Sequence, residues 1–174
     1  MLVIDAEKEI SRIWRALHAA QDNTIKTFYQ WRNAAVELQP DANPSEIALK
    51  GWEAMAKDMG KGFLPRLSFS KGEEAFLKQV AGLYVNVWQG FGAIVKIEKG
   101  SNPMEAFIKW ERCPWPSFAK DYGAPLSEDV KGCDLVLQTT LDLVNSFMNT
   151  NLKIETQKAI PRGEGVCLRR LYKP

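Results

Sequence analysis

The chain has 174 residues, 45% of them hydrophobic and 25% charged, with a formal net charge of +2. Six Trp, eight Phe and four Tyr supply ample apolar area to bury, which excludes a chain disordered throughout. No run approaches the roughly 20 apolar residues of a bilayer span, and the charge is too balanced to point to nucleic acid.

In chain order, Met1 to Glu9 has neither a basic stretch nor an apolar one, so no secretory signal is expected there. Glu7 to about Glu37 reads as a long helix, with Ile10, Ile13, Trp14, Leu17, Ile25, Phe28 and Tyr29 recurring at three and four. Pro40 to Pro44 breaks it. Ser45 is the expected N-cap of a second helix carrying Ile47, Leu49, Trp52, Met55 and Met59, closed by Gly60-Lys61-Gly62. Phe63 to Ser70 is expected as a loop or short strand, and the block from Pro40 to Ser70 as a mobile flap. A third helix starts near Gly72 and runs through Phe76, Val80, Leu83, Tyr84 and Trp88.

The period then changes from 3.6 to 2. Ala93–Lys99 and Met104–Trp110 alternate around Gly100-Ser101-Asn102-Pro103, which predicts a hairpin. Pro114 and Pro116 end the second strand, and Ser117 to Tyr122 is expected as a short helix. Ser127-Glu128-Asp129 marks the start of a helix reaching about Asn149, with carboxylates at its positive end. A last strand pair covers about Leu152–Ile160 and Val166–Tyr172. The expected fold is α+β: one domain over 1–174, helical over about 1–90, with an antiparallel sheet of about four strands in 91–174.

Three cysteines, Cys113, Cys133 and Cys167, are an odd number with no C-x-x-C pair, so free thiols in a cytoplasmic protein are expected. They stand at a strand end, near a helix start and in the last strand, places that a sheet could bring to one end. Three thiolates there suit a zinc ion or an iron–sulfur cluster, with His18, Asp134 or water as the fourth ligand. Small buried hydrophobes are the other reading. A thiol at a helix start is stabilised as thiolate, which makes Cys133 a candidate nucleophile with Asp134 as its acid–base partner. The two nonetheless point about 100° apart on a regular helix. His18, the lone histidine, reads more readily as an ordinary helix residue. Trp115, between two prolines, is a candidate pocket wall or core residue. Arg169 and Arg170 face opposite sides of a strand, so one of them is a candidate to bind a ligand carboxylate, with a solvated strand face as the more ordinary reading.

The stretch ERCPWPSFAKDYGAP, then GCD opening a helix, then RGEGVCLR in the last strand resembles the L-2-amino-thiazoline-4-carboxylic acid hydrolase-like family. More distantly it resembles vinyl-reductase-type small-molecule-binding domains. The residues carrying this are Cys113, Pro114, Gly123, Cys133, Asp134, Gly163 and Cys167, between Trp110 and Tyr172. The family often has an acidic and an aromatic residue after the last Cys, where this chain has Leu168 and Arg169. The resemblance implies a hydrolase acting on a C–N bond of a cyclic amidine or related compound. Cys133 would be its nucleophile or a metal ligand, Asp134 its acid–base group, with Cys113 and Cys167 completing the site. Trp115 would line the pocket and Arg169 contact the ligand. Two other readings stand beside it: a non-catalytic small-molecule or metal-binding module, and an accessory subunit docking through its N-terminal helices. The expected partners are a small-molecule ligand and, through the hairpin, a second copy in a homodimer; neither nucleic acid nor membrane is expected.

Overall fold

A computed structural model describes residues 5–174; the first four residues of the stretch read for a signal, 1–4, lie outside it. The architecture is α+β, with helices packed on one four-stranded antiparallel sheet of order β1-β2-β4-β3. The elements are α1 (Ala6–Leu38), α2 (Pro44–Phe63), α3 (Glu73–Gly90), β1 (Ile94–Lys99), β2 (Glu105–Arg112), α4 (Trp115–Asp121), α5 (Leu126–Met148), β3 (Lys153–Lys158) and β4 (Cys167–Tyr172). Short 3-10 turns cover Leu64–Arg66 and Ile160–Arg162.

Element types follow the sequence closely, and the differences have local causes. Asp5 caps α1 by accepting the Lys8 backbone N–H at 3.3 Å. Asn43, not Ser45, caps α2: its side chain accepts the Ser45 N–H at 2.9 Å, and Pro44 fills the first helical position, where a missing N–H costs nothing. Gly60 does not end α2. A Cβ there would stand 2.8 Å from Leu143 Cδ1, so the glycine serves close approach to α5. Pro116 likewise does not delay α4, because a proline suits the first turn of a helix.

Most of the block 40–70, expected as a mobile flap, is the helix α2, packed into the core. Ala48, Trp52, Ala56, Gly60 and Phe63 of α2 are buried. Trp52 lies over Gly132, Thr140 Oγ1 donates to the Ala56 carbonyl at 3.1 Å, and Gly60 receives Leu143. These contacts rise together along both helices, so α2 and α5 run parallel.

In the sheet, strand alternation turns Ala106, Ile108 and Trp110 of β2 inward beside Leu171, Arg169 and Cys167 of β4. Lys96, Glu98, Lys109 and Glu111 stay outside in ion pairs. Three helices meet through charge: Arg32 of α1 donates Nε and Nη2 to both oxygens of Glu128 on α5, at 2.6 and 2.8 Å, while Ser45 of α2 donates to the same carboxylate. The pair is buried on both sides, so its paired geometry offsets a desolvation penalty that either partner alone would carry.

Candidate functional site

All three cysteines line one cavity. Cys113 reaches it from the turn after β2, Cys133 from α5 and Cys167 from the first position of β4. The register Trp110↔Cys167 brings the end of β2 to the start of β4, and α5 crosses beside both. Trp88, Trp110 and Trp115 form much of the wall, with Pro116, Pro161, Asp129 and Arg169 completing it. The free space is about 20 Å³, somewhat more than the roughly 10–15 Å³ that one water needs.

The thiols are not activated. Burial, against a smaller opposing pull from Arg169, pushes the Cys133 thiol up to about 12. Burial raises Cys113 well above the usual thiol range and raises Cys167 too. The reason for expecting a thiolate at Cys133 also fails on position. The helix begins at Leu126, so Cys133 lies beyond the first turn, where unpaired N–H groups are found. All three are free thiols; Cys167 Sγ accepts the Ile160 N–H at 3.1 Å. Among the described residues no group of three or more His, Cys, Asp or Glu is placed to hold a metal ion, and Cys113, Cys133 and Cys167 form no such group. Sharing one cavity wall is a looser arrangement than converging on one point.

Asp134 lines a separate groove between α5 and β3, and Arg169 Nη2 stands between it and Cys133, donating to Cys133 Sγ at 3.7 Å. The Asp134 carboxylate accepts Thr156 Oγ1 at 2.6 Å and stands 3.1 Å from Arg169 Nη2. Helical geometry separates neighbours, so the acid–base partnership with Cys133 is not formed. The acid on the cavity side is Asp129, one turn before Cys133. Sequence reading took it for a helix-start residue; its i, i+4 spacing to Cys133 was the available signal. Burial raises its carboxyl to about 7, with nearby Glu128 adding to this and Arg169 opposing it. His18 stands on exposed α1 beside Trp14, ring centroids 6.0 Å apart, and takes no part.

Trp115 is both core and wall. Its ring lies 4.5 Å from Trp52, 5.4 Å from Phe28 and 5.6 Å from Phe91 by centroid. Arg169 is 1% exposed. Its Nη1 donates to the Lys158 carbonyl at 2.7 Å and its Nη2 meets Asp134, so the fork expected for a ligand is already used. Arg170 points outward and pairs with Glu105. Among the described residues, the buried side-chain polar atoms without a partner are Tyr29 Oη, Trp88 Nε1, Trp115 Nε1 and Arg169 Nε. Three of these belong to cavity residues, and Tyr29 feels the field of Asp129.

No family model matches the sequence, and no curated protein matches it. Among solved structures it is similar to a trafficking protein particle complex subunit 3 from Naegleria fowleri covalently bound to palmitic acid. The match has a TM-score of 0.50 and 15% identity, and covers 87% of this chain and 95% of that one. At that identity the likeness is one of fold. It corrects the expectation of a small-molecule hydrolase with a cysteine site, because the structure whose fold this chain resembles is of a trafficking-complex subunit.

Proposed function

We propose that this chain is a binding subunit that works by assembly rather than by turnover, and that it docks on a second copy of itself through the free half of α1. The observation that carries this is an apolar stripe left in water. Ile10, Ile13, Trp14 and Leu17 are 55%, 53%, 56% and 41% exposed. They recur at three and four, and the same stripe continues into Ile25, Phe28 and Tyr29, which seat the helix in the core. A monomer has no use for such a continuation, and an isolated helical segment of this length is marginal in water.

The second copy fits for three reasons. Set antiparallel, the stripe is its own complement: Ile10 comes level with Leu17 of the other copy, and Ile13 with Trp14. Glu9 then comes level with His18, and Ala16 and Ala20 leave room for close approach. The flanks mix Glu7 and Glu9 with Lys8, Arg12 and Arg15, so two copies carry no single-sign field to repel each other. The similar solved structure is of a subunit of a protein complex, which supports the same reading. Its palmitic acid is not carried over, because about 20 Å³ lies far below the roughly 300 Å³ at which sites for larger ligands begin.

Sedimentation equilibrium on the wild type and on the Ile13→Glu/Trp14→Glu double variant tests this. A dimer at micromolar concentration is expected for the wild type. A monomer that melts within a few degrees of it is expected for the variant, because the changed residues touch no core. A wild type that stays monomeric at 100-fold higher concentration would overturn the reading.

A further inference from the structure

The start of α1 carries an inference that rests on the assembly reading and adds a second contact to it. Residues 10–20 of α1 are exposed, and the helix meets the body at Gln21. Gln21 falls one turn after Leu17, so it lies on the apolar stripe. Its Nε2 donates to the Gln89 carbonyl at 3.3 Å, and a Cβ at Gly92 would stand 3.1 Å from its Oε1. The turn after α3 therefore closes the stripe with a step.

A second copy laid antiparallel on the stripe has a limited run. The register that brings Ile10 level with Leu17 brings Ala6 of the second copy level with Gln21. Ala6 is where α1 begins. The helix starts where the step would block it, so the free run of about 22 Å is filled from end to end. Whatever precedes Ala6 lies against the step itself.

Two charges on this path have no partner. Glu7 is exposed, and Ile10 and Ser11 stand three and four residues on; the neighbouring acids Asp5 and Glu9 are held by Lys8 and Arg12. Arg112 is exposed beside the step, where its Nη2 donates to the Gly92 carbonyl at 3.4 Å, and the adjacent Glu111 is taken by Lys96. Among the described residues neither Glu7 nor Arg112 forms an ion pair. In the antiparallel register Glu7 comes level with Ala20, one residue from the Gln21 that touches Gly92. Ile94, two residues after Gly92, is 48% exposed, and the residues ahead of Asp5 are Met1, Leu2, Val3 and Ile4, all apolar.

We infer that the turn after α3 is the seat for the start of α1 from a second copy: Arg112 pairs with Glu7 of that copy, and the apolar residues ahead of its Asp5 cover Ile94. Twofold symmetry makes the contact twice. An exposed pair at the rim of an interface contributes little to affinity, so this one serves to fix register and direction. A parallel arrangement would leave Glu7 about 20 Å from the step and form no such pair.

Charge exchange tests this by sedimentation equilibrium at low salt. Glu7→Arg and Arg112→Glu each set like charges at both contacts, and each is expected to dimerise about tenfold more weakly than the wild type. Mixed one to one, the two variants restore opposite charges at both contacts: the two reversed positions meet at one, native Glu7 and native Arg112 at the other. The mixture is expected to dimerise more tightly than either variant alone, and the gain is expected to fade in about 1 M salt. Ile94→Ser is expected to loosen the dimer at every salt concentration. Both charged positions are exposed, and melting of dilute variant protein at the wild-type temperature confirms that the fold is kept. A wild-type dimer that neither reversal weakens, or a mixture no tighter than its components, would overturn this inference and leave assembly through α1 standing. A wild type that stays monomeric would overturn both.

Discussion

At the scale of the residue, Asp129 shows how one buried group ties stability to pH. Its folded carboxyl titrates at about 7, because burial disfavours the charged form more than Arg169 favours it. The unfolded value is about 3.9. Between those values the native state binds more protons than the unfolded chain, so this group's contribution to stability falls as pH rises from about 4 to about 7. Above pH 7 the penalty is fully present. Asp129→Asn keeps the neutral shape at every pH. Its melting temperature is expected to exceed that of the wild type at pH 8, with the gap closing toward pH 4, at roughly 2–4 °C per kcal/mol recovered. A gap that stays constant across that range would show that the carboxyl is not titrating there. The other ionisable groups are common to both proteins and largely cancel in the difference.

At the scale of the element, the α2–α5 pair rests on two glycines used for close approach. A Cβ at Gly132 would run into the indole of Trp52. Trp52 cannot step aside, because Phe28 and Trp115 stand 4.7 and 4.5 Å from it by centroid. Gly132→Ala is expected to destabilise by about 1–3 kcal/mol through overpacking, more than the helix-propensity gain of under about 1 kcal/mol returns. Gly82, inside α3, is the matched control. Nothing lies within 4 Å of a Cβ there, so Gly82→Ala is expected to stabilise by about 0.5–1 kcal/mol. Urea melts of the two variants should move in opposite directions; a shift of the same sign in both would mean that packing at Gly132 is not the deciding term. The role of Gly60 was hidden in the sequence for the same reason. Gly60-Lys61-Gly62 is a sound stop signal, and α2 does end at Phe63, but the close approach of Leu143 to Gly60 is set by a partner helix that local pattern cannot reveal.

At the scale of the whole molecule, assembly through α1 has a thermodynamic signature besides mass. Whatever binds only the native chain raises its melting temperature with concentration. Wild-type melting temperature is therefore expected to climb between 1 and 100 μM by scanning calorimetry, while that of the Ile13→Glu/Trp14→Glu variant stays level. No described helix is long and apolar enough to cross a membrane, so the α1 stripe is a one-sided surface and not a span. The sheet ends in two edge strands, β1 and β3, but the expected hairpin edge carries charged outward residues, which discourage pairing. The apolar face on α1 is the stronger docking surface, and it was visible in the sequence as periodicity that runs on past the core.

Periodicity was enough to read the elements and their order, because spacings of 3.6 and 2 are local properties of a chain that must bury one face. The α+β class and the hairpin were legible on those grounds, whereas the sharing of one cavity by Cys113, Cys133 and Cys167 was left open. The chemistry of the cavity was not legible. Whether Arg169 or Arg170 turns inward depends on strand register, and only packing sets that register. Which acid accompanies Cys133 depends on a helical turn: Asp129 shares its side, while the sequence neighbour Asp134 faces another groove. The charge state of the thiols depends on desolvation, a property of the surroundings that no stretch of sequence carries. A cysteine beside an acid near a helix start reads as a nucleophile; the same thiol, pushed up to about 12 by burial, stays protonated.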